Sequence, residues 1–320
     1  MRNVDGILRG LTLVAVALAA GVLRADETAP ARKASPQGTL SVVFVGDVML
    51  DNGPGHAVAS GRDPFAACDD LLLDADFTIG NLECVLGKAG KMVPKAYSFR
   101  AAGDSPRFLS RYFTALSLGN NHAFDFGPEG LVETCGILDR SGIGRFGAGH
   151  TLAEARAPFV LEKDGLRIAI LAANGFRPDS YAATDTAPGV APLREADLLA
   201  DIAAARKTAD VVIPYVHWGD ELVAEPLAAD RAFARKMVEA GAAAVIGGHP
   251  HVPQTVDVHR GAPIVYSLGN FVFDYYPCDP PEWTGWVVKL TATKGAAVEI
   301  ETRAVVLDPA GLPRPAVDGQ

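Results

Sequence analysis

No run of lysine or arginine stands out anywhere in this 320-residue chain, and acidic residues outnumber basic ones 38 to 29. A nucleic-acid partner is therefore not expected, because gripping a phosphate backbone needs a basic face. Cysteine is scarce as well. The four, Cys68, Cys84, Cys135 and Cys278, are spaced too widely for a C-x-x-C zinc knuckle, which leaves disulfides in any of three pairings or buried free thiols. Long hydrophobic runs are also missing. The most apolar stretch, Leu11 to Leu23, falls short of the roughly 20 residues that cross a bilayer. With Arg2 and Arg9 before it and Arg24-Ala25 behind, it has the form of a cleaved secretory signal covering residues 1–25, a retained N-terminal anchor being the alternative. No cysteine follows the run, so a lipid anchor at that junction is not expected.

Export to the periplasm or the cell surface follows from that reading. Removing residues 1–25 takes away three arginines and one aspartate, leaving a charge of about −11. With 49% apolar residues the chain can bury a large core, and nothing in it demands a second domain. Residues 26–38, small, polar and proline-containing, read as a flexible lead-in, and residues 309–320, with three prolines, as a loose tail. Between them, over 39–308, short apolar runs alternate with helical patterns, which is the signature of an α/β fold with strands buried on both faces. Strands are expected at 40–45, 77–80, 115–118, 167–172, 211–216, 243–246 and 263–267, and helices at 64–73, 128–140, 194–208 and 230–240. After Trp286 two strand-like segments without an intervening helix suggest an antiparallel edge.

The chemistry lies at the ends of those strands. Five of them run directly into polar groups: Gly46-Asp47, Asn81-Leu82-Glu83, Asn120-Asn121-His122, His217-Trp218-Gly219-Asp220-Glu221 and His249-Pro250-His251. Ligands of open α/β sheets bind at the carboxyl ends of strands, so segments far apart in sequence can share one crevice. Asp, Glu, Asn and several His make a mixed nitrogen and oxygen set suited to a divalent ion such as Mn, Zn or Fe. A histidine in such a site is usually oriented by a carboxylate, and Asp125 and Glu221 are the candidates beside His122 and His217. Arg100 has the planar fork to hold a substrate carboxylate, and Asn270 with Phe271 and Phe273 would form a wall of the crevice.

Six ordered blocks, GDVML from Gly46, GNLE from Gly80, NNHAFD from Asn120, HWGDE from His217, GHPH from Gly248 and SLGNF from Ser267, resemble the bacterial capsule-synthesis family named for CapA. That resemblance runs from about Leu40 to Phe273. It implies membership of the calcineurin-like metallophosphoesterase superfamily, whose fold is a four-layer sandwich of two mixed β-sheets flanked by helices. It also implies one or two metal ions held by Asp47, Glu83, Asn121, His217, His249 and His251, with His122 as general acid. Two departures from the superfamily pattern are visible. Gly80-Asn81 stands where Gly-Asp is usual, and Met49 stands where a histidine ligand is usual, so a second ion would need another ligand such as Asp51.

Three functions remain open at this point. The first is a metal-dependent hydrolase or transferase acting on a γ-glutamyl polymer such as poly-γ-glutamate. The second is a phosphoesterase, and the third a non-catalytic polymer-binding subunit working with membrane-bound capsule synthesis or export proteins. A protein this acidic repels a polyanion at long range, so contact with one must rely on the ions, Arg100 or local lysines such as Lys88, Lys91 and Lys95.

Overall fold

The computed structural model describes residues 22–24, 32–274 and 283–317. Most of the expected signal and Cys278 lie outside the described residues. In chain order the first elements are β1 (Val22–Arg24), β2 (Thr39–Val48), α1 (Asn52–Ala59), α2 (Asp69–Leu72), β3 (Phe77–Leu82), α3 (Ser105–Tyr112), β4 (Ala115–Ser117), α4 (Gly127–Arg140) and β5 (Gly144–Phe146). Next come β6 (Ala148–Gly149), α5 (Leu152–Arg156), β7 (Phe159–Lys163), β8 (Leu166–Asn174), β9 (Gly189–Val190), α6 (Glu195–Ala205), β10 (Val211–His217), α7 (Ala228–Glu239) and β11 (Val245–Gly248). The chain closes with β12 (Val256–His259), β13 (Ala262–Val265), β14 (Asn270–Val272), β15 (Thr284–Thr293), β16 (Glu299–Leu307) and β17 (Pro313–Pro315).

Two large mixed sheets carry the molecule. The first is ordered β1-β7-β8-β10-β11-β13-β12, and its central strands β8, β10, β11 and β13 are parallel. The second is ordered β17-β16-β15-β2-β3-β4-β5, with β14 added beside β2. There β2 through β5 are parallel, while β15, β16 and β17 form the antiparallel edge anticipated after Trp286.

The alternation along β2 shows how the layers form. Leu40, Val42 and Phe44 face the first sheet and pack with Ile168, Ile170, Ile213 and Ile246, whereas Val43, Val45 and Val48 pack with α1, α3 and α4 on the other side. The outer face of the first sheet is covered by Leu198 and Ile202 of α6 and by Ala234 and Met237 of α7. The result is helices, sheet, sheet, helices. Phe44 meets Tyr215 edge-on across the sheets at 6.1 Å, and the buried Tyr215 hydroxyl donates to the Val45 carbonyl at 2.6 Å. Truncating Phe44 to alanine would cost about 3–5 kcal/mol.

Four local expectations are corrected. The helix expected over 64–73 is a 3-10 turn at Ala66–Cys68 followed by the four-residue α2, because the Asp63 side chain accepts the Phe65 N–H in a competing turn. Residues of the lead-in are held: the Ser35 N–H and hydroxyl bond Asp76, and Arg32 donates to Thr78 Oγ1 at 2.7 Å and to the Leu72 and Tyr112 carbonyls. Within the segment expected to trail loosely, Leu312 is buried and β17 pairs with β16. Helix α1 was not anticipated, since its sequence NGPGHAVA carries two glycines and a proline; the Asp51 side chain caps its start.

Candidate metal centre

Strand register assembles the site before any loop contributes. Asn270, Asp47, Asn81 and Ser117 are successive Cα partners across β14, β2, β3 and β4. Asn174, His217 and Gly248 form the matching row across β8, β10 and β11. The loops just beyond then add Glu83, Asn120 to His122, His249 and His251. Close sheet contact at this end demands glycine: a Cβ on Gly46 would lie 1.8 Å from the Gly269 carbonyl oxygen, and one on Gly247 2.0 Å from that of Tyr266.

Asp47 Oδ1 accepts the Asn81 amide at 2.8 Å, which leaves Oδ2 buried without a hydrogen bond and 3.4 Å from His251 Nδ1. Both oxygens of the fully buried Glu83 also lack a hydrogen bond, with Oε1 3.3 Å from His217 Nε2. His249 Nε2 is the fourth such atom. Donor atoms of Glu83, His249 and His251 lie within 4.8 Å of one another. His217 Nε2 stands 2.8 Å from Asn121 Oδ1 and 3.1 Å from His249 Nδ1. Buried polar atoms are normally satisfied, so a convergence of unsatisfied carboxylate oxygens and an imidazole nitrogen fits a divalent cation.

Electrostatics agree with that fit. Burial pushes the Glu83 carboxyl well above the carboxylate range, with Asp47 adding to it. Burial likewise pushes His217 down to about 4 against the pull of Asp47 and Glu221, and His249 well below the ordinary imidazole value. Neutral imidazoles keep the lone pair that a metal needs. The backbone is strained at the same place: His249 has φ 98° and His251 φ 59°, conformations that side-chain-bearing residues rarely adopt.

Next to these donors His122 Nδ1 faces Asp125 Oδ2 at 2.8 Å, and the same oxygen accepts the Phe99 N–H at 2.7 Å. Lys95 ion-pairs with the other Asp125 oxygen and donates to the Asn121 carbonyl at 3.0 Å. Burial lowers the His122 pKa despite Asp125. Asn120 braces the loop, accepting the N–H groups of His122 and Ala123 and donating to Asn81 Oδ1 and the Leu82 carbonyl. Lys95, Asn81 and Asn120 had no such roles in the sequence reading. Asn81 and Asn120 were nonetheless marked by sitting at the strand ends.

Asp47, Glu83, Asn121, His122, Asp125, His217, His249 and His251 therefore come together. Four other expectations change. The Arg100 guanidinium donates to the Gly87 carbonyl at 2.6 Å and that of Ala89 at 2.9 Å and lies 3.6 Å from the Phe126 ring centre, so it ties a loop rather than awaiting a substrate. Asn270 turns its Oδ1 to His251 Nδ1 at 2.9 Å and orients that ring. Glu221 is exposed and acts on His217 through its charge, while Asn81 stands 3.3 Å from His217 Nδ1. Asp51 caps α1 and accepts the Arg100 N–H at 2.8 Å, and Met49 is buried in the core with its sulfur accepting the Asp51 N–H. Cys68, Cys84 and Cys135 are buried free thiols.

A family model described as bacterial capsule synthesis protein PGA_cap matches residues 41–275. The chain belongs to this family. Among curated members, the PGA biosynthesis protein CapA of Bacillus subtilis is 34% identical over 77% of this chain and 66% of its own length. The capsule biosynthesis protein CapA of Bacillus anthracis is 32% identical over 82% of this chain and 67% of its own. The chain thus spans about two thirds of the length of those relatives. Its fold also resembles a calcineurin-like phosphoesterase, YfkN of Bacillus subtilis, at TM-score 0.48 and 14% identity, covering 83% of this chain and 91% of that one.

Proposed function

We propose that this family member is an exported, divalent-metal-dependent hydrolase or transferase that acts on γ-glutamyl amide bonds of a capsule polymer. The observation that carries the reading is the His122–Asp125 pair set beside the unsatisfied donor atoms of Asp47, Glu83 and His249. Asp47, Glu83, Asn121, His217, His249 and His251 would hold the ion. When bound, a divalent ion supplies Lewis acidity toward an acyl oxygen and toward water. His122 Nδ1 is fixed on Asp125, which leaves Nε2 to take a proton from the attacking water and return it to the leaving amide nitrogen. Asp125 keeps the tautomer and bears the transient imidazolium, and Lys95 holds Asp125 in place.

The substrate class comes from the relatives' names, which refer to PGA and capsule biosynthesis, and from an amide leaving group that needs the proton His122 can deliver. Purified protein given Mn or Zn, assayed in parallel on poly-γ-glutamate and on an artificial phosphodiester, tests the proposal. Shortening or transfer of the polymer without phosphodiester turnover is expected. Turnover of the phosphodiester alone would replace this reading with the phosphoesterase one, and binding without turnover of either would replace it with the polymer-binding one.

A further inference from the structure

The loop after β8 carries, one ring away from His249, a cation with no acidic partner among the described residues. Asn174 pins this loop from inside, its amide donating to the Phe176 carbonyl at 3.0 Å and its oxygen accepting the Phe176 N–H at 3.2 Å. Phe176 lies against the ligand-type His249, ring centres 4.9 Å apart. The next residue, Arg177, is held at φ 46°, a left-handed conformation costly for a residue with a Cβ. Its side chain is exposed and folds back toward Phe176, 5.5 Å from the ring centre. Tyr181 is near enough for its hydroxyl to feel the charges of both Arg177 and Asp125, and Lys95 Nζ lies 5.5 Å from the Tyr181 ring. Arg177 thus stands one ring away from His249.

The charge balance on this rim is uneven. Asp179, two residues on, is taken by Arg194 at 2.7 Å, and Lys95 is neutralised by Asp125. Arg177 makes no ion pair among the described residues. A guanidinium without an ion pair among the described residues presents a planar fork that the two oxygens of a carboxylate can engage side by side.

We propose that Arg177, backed by Phe176 and Tyr181, is the specificity-determining residue that grips a free α-carboxylate of the γ-linked glutamyl chain as it lies across the metal centre. This rests on the reading of the site as one acting on a glutamyl polymer. Asn174 pins the loop backbone from which the Arg177 side chain leaves.

Binding of a short γ-glutamyl oligomer and of inorganic phosphate to the Mn-loaded full chain, by titration calorimetry, tests it with Arg177→Gln and Arg177→Lys. Arg177→Gln should weaken the oligomer roughly 10- to 100-fold, the loss expected for charge-assisted hydrogen bonds, and leave phosphate affinity, metal content and melting temperature unchanged. Arg177→Lys should recover part of the loss. Equal oligomer binding by wild type and Arg177→Gln overturns the Arg177 assignment while leaving the proposed function standing. An equal drop for phosphate overturns the carboxylate preference. No oligomer binding by wild type overturns the glutamyl reading and the assignment with it.

Discussion

Replacing Glu83 by glutamine should have opposite consequences with and without metal. The side chain is fully buried, neither oxygen has a hydrogen bond, and burial with Asp47 nearby raises its pKa far above the ordinary range. Without an ion, burial favours the protonated form of Glu83, which a near-isosteric amide resembles. The melting temperature of metal-free Glu83→Gln should stay within about 3 °C of wild type, because the amide replaces a carboxyl that burial already drives toward its neutral form. With metal the same change removes a charged ligand from the Glu83, His249 and His251 group. A loss of about 100-fold in affinity amounts to about 2.7 kcal/mol of linked stability when metal is well above both dissociation constants. For a domain of this size that is about 5–10 °C. Differential scanning calorimetry on chelator-treated and Mn-saturated samples measures both arms. Equal metal-induced shifts for wild type and variant would refute the placement of an ion on Glu83.

The remaining predictions use the same site. Asp125→Asn should lower turnover on the polymer about 10²–10⁴-fold while metal content holds, because His122 loses its orientation; turnover within a few-fold of wild type would remove the pair from catalysis. Arg100→Gln should cost about 2–4 kcal/mol in urea unfolding through the freed Gly87 and Ala89 carbonyls and leave polymer binding intact, whereas a substrate-gripping Arg100 would give the reverse. In metal-free Glu83→Gln, stability should fall as pH drops from about 6.5 to about 4. There the unfolded chain takes up protons that folded His217, His249 and His122 resist, and His217 alone accounts for a loss of about 3 kcal/mol at the lower limit. Wild type should show a shallower slope, since a raised Glu83 pKa acts in the opposite direction above its ordinary value, and a flat profile in the variant would contradict the neutral His217.

Much of the site was legible because this fold hides its parallel strands on both faces. Val42 to Val45 and Val211 to Val216 are unbroken apolar runs, so the first polar residue after each marks a strand end, and strand ends meet in one place. Sequence gives no such handle on where a side chain points. Arg100 looked available for substrate, yet it turns inward to two carbonyls; Glu221 looked well placed behind His217, yet the inward position belongs to Asn81 from another strand. Lys95 reads as one lysine among several in a loop, and only the folded chain puts its ammonium on Asp125. Short helices were lost for a different reason. In α1 the Asp51 cap overrides the weak propensity of two glycines and a proline, and in α3 burial of Phe108, Leu109 and Tyr112 does so without a side-chain cap.

Anomalous X-ray diffraction from crystals of the full chain grown with Mn or Zn tests the central claim most directly. An ion is expected between Glu83, His249 and His251, with its nearest nitrogen ligand about 2.0–2.3 Å away and Asp47 Oδ2 turned toward it. Anomalous density absent from that point in metal-saturated crystals, or found only at surface carboxylates, would contradict it.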